Sequence, residues 1–400
     1  MAIPIFLAAC AVPDGGLFRA ARFRDVHLYQ GFADAVFDGR FPYRDFFMEY
    51  PPGALAVFLP PAAFGSSHYN AAFKVLMAMC GIATIVLLAF LLERLRVAPW
   101  RLWAAVLLFA LSPIALGPIS LNTYDAWPAL LTLAALVLLV VGRSGFAFAF
   151  LGAAFAAKVY PLVLVPPALV FVWRTAGRDR ALRGLAAFAA VAGVIVLPFL
   201  AVAPHGLAES FRAQAARSLQ VESLGGSLLG AADRLGLYDA TVVHRTGHAV
   251  SYDLVGSLPR ALAAVSSLLQ LAAVLAVAWL YARGGDSARR LAIAFAAAIA
   301  GFLAFTRFFS PQYLVWLIPF VLVLEPLAWC LTGAALVLAQ VWFFHYRDVF
   351  ALGGYIWLVV LRDLIVLALF VVALRALGRR APEHEDAVVL EHELPLGVPP

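Results

Sequence analysis

The side chains able to do chemistry gather in a few short stretches of this chain. Five carboxylates, Asp25, Asp34, Asp38, Asp45 and Glu49, fall between Arg24 and Pro52, separating two apolar runs. Asp25 stands where the chain emerges from its first apolar segment. Partial desolvation there raises the basicity of a carboxylate and suits it to take a proton from a sugar hydroxyl. The same residue precedes an amphipathic stretch, 26–37, so capping that helix is the competing role. Asp34 and Asp38, four apart, read as the solvated face of the helix. Asp45 and Glu49 precede Tyr50-Pro51-Pro52, where fixed proline φ angles stiffen the entry to the next apolar segment. A carboxylate here either orients an acceptor or the base, or bonds to backbone amides.

Cations supply the complement. Lys158 interrupts an apolar background, where a charge is costly unless paired; an anionic lipid phosphate or Asp125 would satisfy it. Arg307 has the planar fork that grips phosphate with two hydrogen bonds, or else it snorkels to the interface. Arg217, Gln220 and Glu222 either line a sugar-binding surface or fold the loop that carries them. Cys10, Cys80 and Cys330 lie singly in apolar runs and read as small hydrophobes. The chain has no Gly-Lys-Ser/Thr phosphate loop, dinucleotide glycine fingerprint, His-Glu-x-x-His or Gly-x-Ser-x-Gly, which disfavours nucleotide hydrolysis, zinc proteolysis and serine-hydrolase chemistry. No metal site and no cofactor are expected.

The elements that must hold these groups are set by composition. Of 400 residues 64% are hydrophobic and 13% charged, with a mean hydropathy of +0.92, so the expected class is an all-α polytopic membrane protein. Residues 1–12 form a short first membrane helix. Further spans are expected near 69–92, 100–117, 126–141, 185–203, 260–281, 291–305, 311–324, 327–344 and 355–377, giving roughly 10–13 membrane segments once a hairpin over 146–173, turning at Lys158, is included. Lys74 and Lys158 are the only lysines. Arginine-rich short loops at 94–101, 143, 174–183, 283–290 and 375–380 then share one face, which the charge rule makes cytoplasmic. Arg19, Arg22 and Arg24 run against that rule. The opposite face receives the loops 14–52 and 204–259. A membrane domain over 1–378 is followed by a polar, disordered cytoplasmic tail, 379–400. The net charge of +6 is a topology signal, and nucleic acid is not an expected partner.

Six words in order resemble glycosyltransferase family 87, actinobacterial type: Asp25-Val26-His27-Leu28-Tyr29, Gly39-Arg40-Phe41-Pro42-Tyr43-Arg44-Asp45, Glu49-Tyr50-Pro51-Pro52, Lys158-Val159-Tyr160-Pro161, Arg217-Ser218-Leu219-Gln220-Val221-Glu222-Ser223 and Ser310-Pro311-Gln312-Tyr313. The resemblance runs from about residue 20 to 375. It implies a GT-C fold with extracytoplasmic interfacial helices and Asp25 as the base. It also implies inverting, metal-independent transfer of a hexose, mannose by analogy, from a polyprenyl-phosphate donor to a glycolipid or glycan acceptor at the outer face of the plasma membrane. Substrate contacts are then expected from Tyr29, Asp45, Glu49, Tyr50, Lys158, Tyr160, Arg217, Gln220, Glu222, Arg307, Gln312 and Tyr313. Gln312-Tyr313 stands where some relatives carry histidines, which leaves the acceptor contacts open. Two other functions fit the same residues, a flippase for lipid-linked sugars and a non-catalytic partner in envelope assembly.

Overall fold

The computed structural model describes residues 1–12, 25–245 and 251–379. Arg19, Arg22, Arg24 and the tail beyond Arg379 lie outside these residues. Among the described residues six helices are long and apolar enough to cross a membrane: Tyr69–Arg94, Pro99–Leu116, Arg178–Val202, Ser257–Ala282, Pro326–Phe344 and Ile356–Gly378. Only 11% of the most apolar window of Arg178–Val202 and 17% of that of Ser257–Ala282 is buried inside the protein. Faces as open and apolar as these are stable against lipid rather than water. The chain is a multi-pass membrane protein of the all-α class.

Six shorter apolar helices accompany the long ones among the described residues: Ala2–Ala11, Pro52–Phe64, Ala126–Val140, Ser144–Ala157, Tyr160–Ala176 and Pro311–Val321. Several of the expected spans are among them. A 15-residue helix such as Ala126–Val140 extends about 22 Å, less than the hydrocarbon thickness of roughly 30 Å. Its polar start is tolerable because protein surrounds it: Asp125, before the first turn, has no exposed surface. Ala126–Val140 and Ser144–Ala157 form a hairpin turning at Gly142, whose φ of +76° favours glycine. After Ser144–Ala157 the chain breaks at Lys158, which adopts an extended conformation, and continues into Tyr160–Ala176. The break falls where the sequence placed it.

Small residues let the helices approach closely. A Cβ on Gly152 would sit 2.5 Å from the Phe188 carbonyl oxygen, and one on Gly184 would sit 2.7 Å from the Phe148 ring, so Ser144–Ala157 and Arg178–Val202 meet through glycines. The helix Ala288–Ala304 buries Ala292, Ala294, Ala296, Ala297, Ala298 and Ala300 and runs through the centre of the main apolar core beside Phe320, Leu369 and Phe370.

The segments between spans are built differently. Asp25–Phe37 is a helix that buries Val26, Tyr29, Phe32, Ala33 and Ala35 along one stripe. The 204–259 loop holds the helices Pro204–Ala215 and Leu224–Arg234 and a feature the sequence reading lacked, a small antiparallel sheet. Its strands β1 (Leu219–Gln220), β2 (Thr241–Arg245) and β3 (Ser251–Val255) are ordered β1-β3-β2, with Leu219 opposite Leu254 and Val243 opposite Asp253. Ser223 caps Leu224–Arg234 by accepting the Gly226 N–H at 3.2 Å, which fixes the turn that carries Gln220 and Glu222.

Candidate active site

Asp25 opens the helix Asp25–Phe37. Its side chain accepts no backbone amide among the described residues; the Tyr29 hydroxyl, one turn along, favours the ionised form of its carboxylate. The residue keeps part of its surface open, yet protein on its other sides strips water from it. That desolvation, reinforced by the negative charges of Glu49 and Asp125 and opposed by Lys158, pushes its carboxyl up to about 7. Near neutrality such a group is half ionised and exchanges a proton with little driving force in either direction, which is the condition of an efficient general base.

Aromatic rings wall the site. Tyr29 stacks on Phe58 with centroids 4.3 Å apart and meets Tyr50 and Tyr124 edge-on at 5.6 and 5.7 Å. Tyr50 and Tyr124 close the group at 5.2 Å. The Tyr43 hydroxyl donates to the Tyr50 carbonyl at 2.6 Å, tying the Tyr50-Pro51-Pro52 turn to the loop before it. Gly53 then lets this turn press onto the end of Ser144–Ala157: a Cβ there would lie 2.6 Å from the Ala156 carbonyl carbon.

That contact brings the turn beside Lys158. The Lys158 ammonium donates to Asp125 at 2.5 Å, joining the open ends of the hairpin formed by Ala126–Val140 and Ser144–Ala157. Of the two partners the sequence allowed, the structure supplies the carboxylate. Trp316 Nε1–H donates to the same Asp125 oxygen at 2.6 Å, while the second oxygen, Oδ2, is buried without a partner. Rings of Tyr124, Tyr313 and Trp316 surround the ammonium at 4.6, 4.9 and 4.9 Å, a geometry in which ring quadrupoles stabilise a cation. Trp316 lies between Tyr160 and Tyr313, stacked at 4.1 and 4.3 Å, and the Tyr160 hydroxyl pairs with Thr132.

A second ion pair flanks the first. Arg217 donates to Glu49 at 3.2 Å, and Gln214 holds the Glu49 carbonyl at 3.1 Å. Burial raises the Glu49 carboxyl, with Arg217 pulling against it. Arg217 Nε–H is buried without an acceptor, and Gln220 Oε1 is buried without a donor. Unpaired buried polar atoms are costly, and two of opposite type at one site match a ligand that presents both hydroxyl and anionic oxygen. Tyr313 lies within electrostatic reach of Arg217, Asp125, Glu222 and Glu49, so these groups belong to one constellation.

Glu222 accepts from Ser310 at 3.2 Å, and burial pushes its carboxyl up to about 7 against the attraction of Arg362. Arg362 has no exposed surface. It pairs with Asp363 at 2.8 Å, donates to the carbonyls of Glu222 and Phe309, and stacks on Phe309 at 4.1 Å. Asp363 in turn accepts from Ser227 at 2.8 Å. This pair fastens two interfacial loops to Ile356–Gly378.

Of the thirteen site residues read from the sequence, the structure assembles Asp25, Tyr29, Glu49, Tyr50, Lys158, Tyr160, Arg217, Gln220, Glu222 and Tyr313. Asp45 is elsewhere engaged. It accepts from its own turn, the Phe41 N–H at 2.6 Å, and forms a two-toothed pair with Arg44, which holds its carboxyl down at about 2. Arg307 reaches away to the Ala215 carbonyl at 2.6 Å while its own carbonyl accepts the Gln220 N–H, so it staples the loop. Gln312 is half-buried, with no side-chain hydrogen bond among the described residues. The reading missed Tyr124, Trp316, Arg362 and Asp363, and named Asp125 only as a partner for Lys158. Two signals were available: the polar interruption Asn122-Thr123-Tyr124-Asp125, and a charged pair inside the apolar run 356–377.

The model of glycosyltransferase family 87 matches residues 47–311, the greater part of the 400. The chain belongs to glycosyltransferase family 87. It is therefore a membrane transferase acting on sugars. The match spans Glu49, Asp125, Lys158, Arg217, Gln220 and Glu222 but begins after Asp25. No curated protein matches the chain.

Proposed function

We propose that this family 87 enzyme moves a hexose, mannose by resemblance, from a polyprenyl-phosphate donor to a glycolipid or glycan acceptor at the extracytoplasmic face of the plasma membrane, with inversion and with Asp25 as the base. The observation that carries this reading is a carboxyl pushed to about 7 beside two internally neutralised ion pairs, Asp125 with Lys158 and Glu49 with Arg217.

The chemistry follows from that arrangement. The acceptor hydroxyl donates its proton to Asp25 as its oxygen attacks the anomeric carbon, and the carbon–oxygen bond to the lipid phosphate breaks with its electron pair leaving on the phosphate. Negative charge thus grows on the phosphate while the proton arriving on Asp25 removes one, so the total charge of the site is unchanged. Arg217 Nε–H, unpartnered in the structure, supplies a preorganised donor for the leaving oxygen, and Lys158 supplies a nearby positive field. Gln220 Oε1 accepts from a sugar hydroxyl, and the half-buried Tyr50 ring offers an apolar surface to a hexose.

Transfer of labelled mannose from a synthetic polyprenyl-phosphate donor in membranes expressing wild type or Asp25→Asn tests the reading. Removing a general base costs about 10²–10⁴ in rate; Asp25→Asn turning over like wild type at equal expression excludes Asp25 from the mechanism.

A further inference from the structure

At the opposite end of the hairpin from Asp125 and Lys158 lies a second polar feature that sugar transfer does not use. The turn between Ala126–Val140 and Ser144–Ala157 and the start of Arg178–Val202 enclose an open cavity of about 530 Å³, lined by Gly142, Arg143, Ser144, Gly145, Phe146, Ala149, Arg180, Arg183, Gly184 and Ala187. Three arginines face it, and among the described residues none forms an ion pair; Arg183 Nε–H donates only to the Asp179 carbonyl at 3.3 Å. The first amides of Ser144–Ala157 also open here, with no side chain capping them. The helices meet tightly at Gly152 and Gly184, and the cavity adjoins that contact, with Gly184 in its wall. The Ala126–Val140 helix separates this cavity from Asp125 by about 22 Å, placing it near the other surface of the bilayer.

We propose that this cavity binds the phosphate of an anionic membrane lipid, with Arg143, Arg180 and Arg183 on the phosphate oxygens and the acyl chains along Phe146, Ala149 and Ala187. Arginine forks match phosphate oxygens in pairs, and a basic cleft between membrane helices combines that grip with an apolar wall that free phosphate does not use. The cavity shares no residue with the sugar-transfer site.

Native mass spectrometry of the detergent-solubilised full-length protein, titrated with phosphatidylglycerol, phosphatidylcholine or inorganic phosphate, tests it. Phosphatidylglycerol should be retained at least about tenfold better than phosphatidylcholine, and R143Q/R180Q/R183Q should lose that preference. R94Q/R96Q, which removes arginines at the same end of the protein outside the cavity, should keep it. If the triple glutamine variant fails to fold, R143K/R180K/R183K keeps the charge and loses the fork, and should bind more weakly than wild type. Equal retention of the two lipids, unchanged binding in the triple variants, or displacement of the lipid by equimolar inorganic phosphate would overturn the proposal.

Discussion

Replacing Lys158 by methionine tests how the site is held together. The side chain keeps its length and loses its charge, leaving Asp125 buried with only the Trp316 N–H on one oxygen and nothing on the other. The pair is 2.5 Å long, with side-chain exposure of 13% for Lys158 and 1% for Asp125, so solvent does little to replace the lost partner. Removing one member of a buried pair costs about 3–5 kcal/mol, and loss of the ammonium from its three rings adds about 1–2 kcal/mol. Because Lys158 and Asp125 are the two ends of one hairpin, the destabilisation should open it at the site. Asp125→Leu together with Lys158→Met removes both charges and should recover most of the loss, so the double substitution should cost less than Lys158→Met alone and far less than the sum of the two singles. Thermal denaturation of detergent-solubilised protein, followed by size-exclusion of the surviving monodisperse fraction, reads all four corners of the cycle. Strictly additive single substitutions, or Lys158→Met as stable as wild type, would refute the reasoning.

Other outcomes follow from the same geometry. Asp25→Asn should stabilise the protein at pH 8. A carboxyl raised from 3.8 to about 7 makes the folded state bind more protons than the unfolded between those values, so stability falls with rising pH across that window and levels off above 7. The penalty is at most ~4 kcal/mol and less for a group partly open to water; the advantage of Asn should shrink as pH falls toward 4, as pH-dependent melting will show. Arg217→Gln should lower kcat by about 10²-fold or more while leaving Glu49 buried and folding intact at low pH, measured by transfer assays against melting curves. Gly53→Val should destabilise by about 2 kcal/mol or more, because its side chain enters the Ala156 backbone, and protease protection of the 50–64 segment will report it. Arg362→Met should cost about 3–5 kcal/mol through the stranded Asp363, with Arg362→Met/Asp363→Leu recovering part of it in the same assay.

Much of the architecture was legible because lipid imposes strong rules. Long apolar runs, arginine-rich turns and the interruption at Lys158 each follow from what hydrocarbon excludes, and each is found in the structure. Within the site, Asp25, Glu49, Tyr50 and Lys158 stood out because ionisable groups beside apolar runs need a reason to be there. Partnerships were harder to read. Asp125 and Lys158 are 33 residues apart and meet only because two short helices turn back on each other; Trp316 reaches Asp125 from a helix 191 residues away. Asp45 resembled Glu49 in sequence, yet a neighbouring arginine and its own turn satisfy it, a choice decided by local turn geometry that spacing does not reveal. The small sheet escaped notice because β1 has two residues and β2 is largely exposed, so neither carries a strong alternation.

The pH dependence of kcat/KM for sugar transfer tests the central claim most directly. Glu222 also titrates near 7, so the profile should be taken in Glu222→Gln as well as wild type. If Asp25 takes the acceptor proton in its ionised form, log kcat/KM climbs with unit slope to about pH 7 and then levels, in both proteins. A flat profile from pH 5 to 8, or an inflection that vanishes with Glu222→Gln, would contradict it.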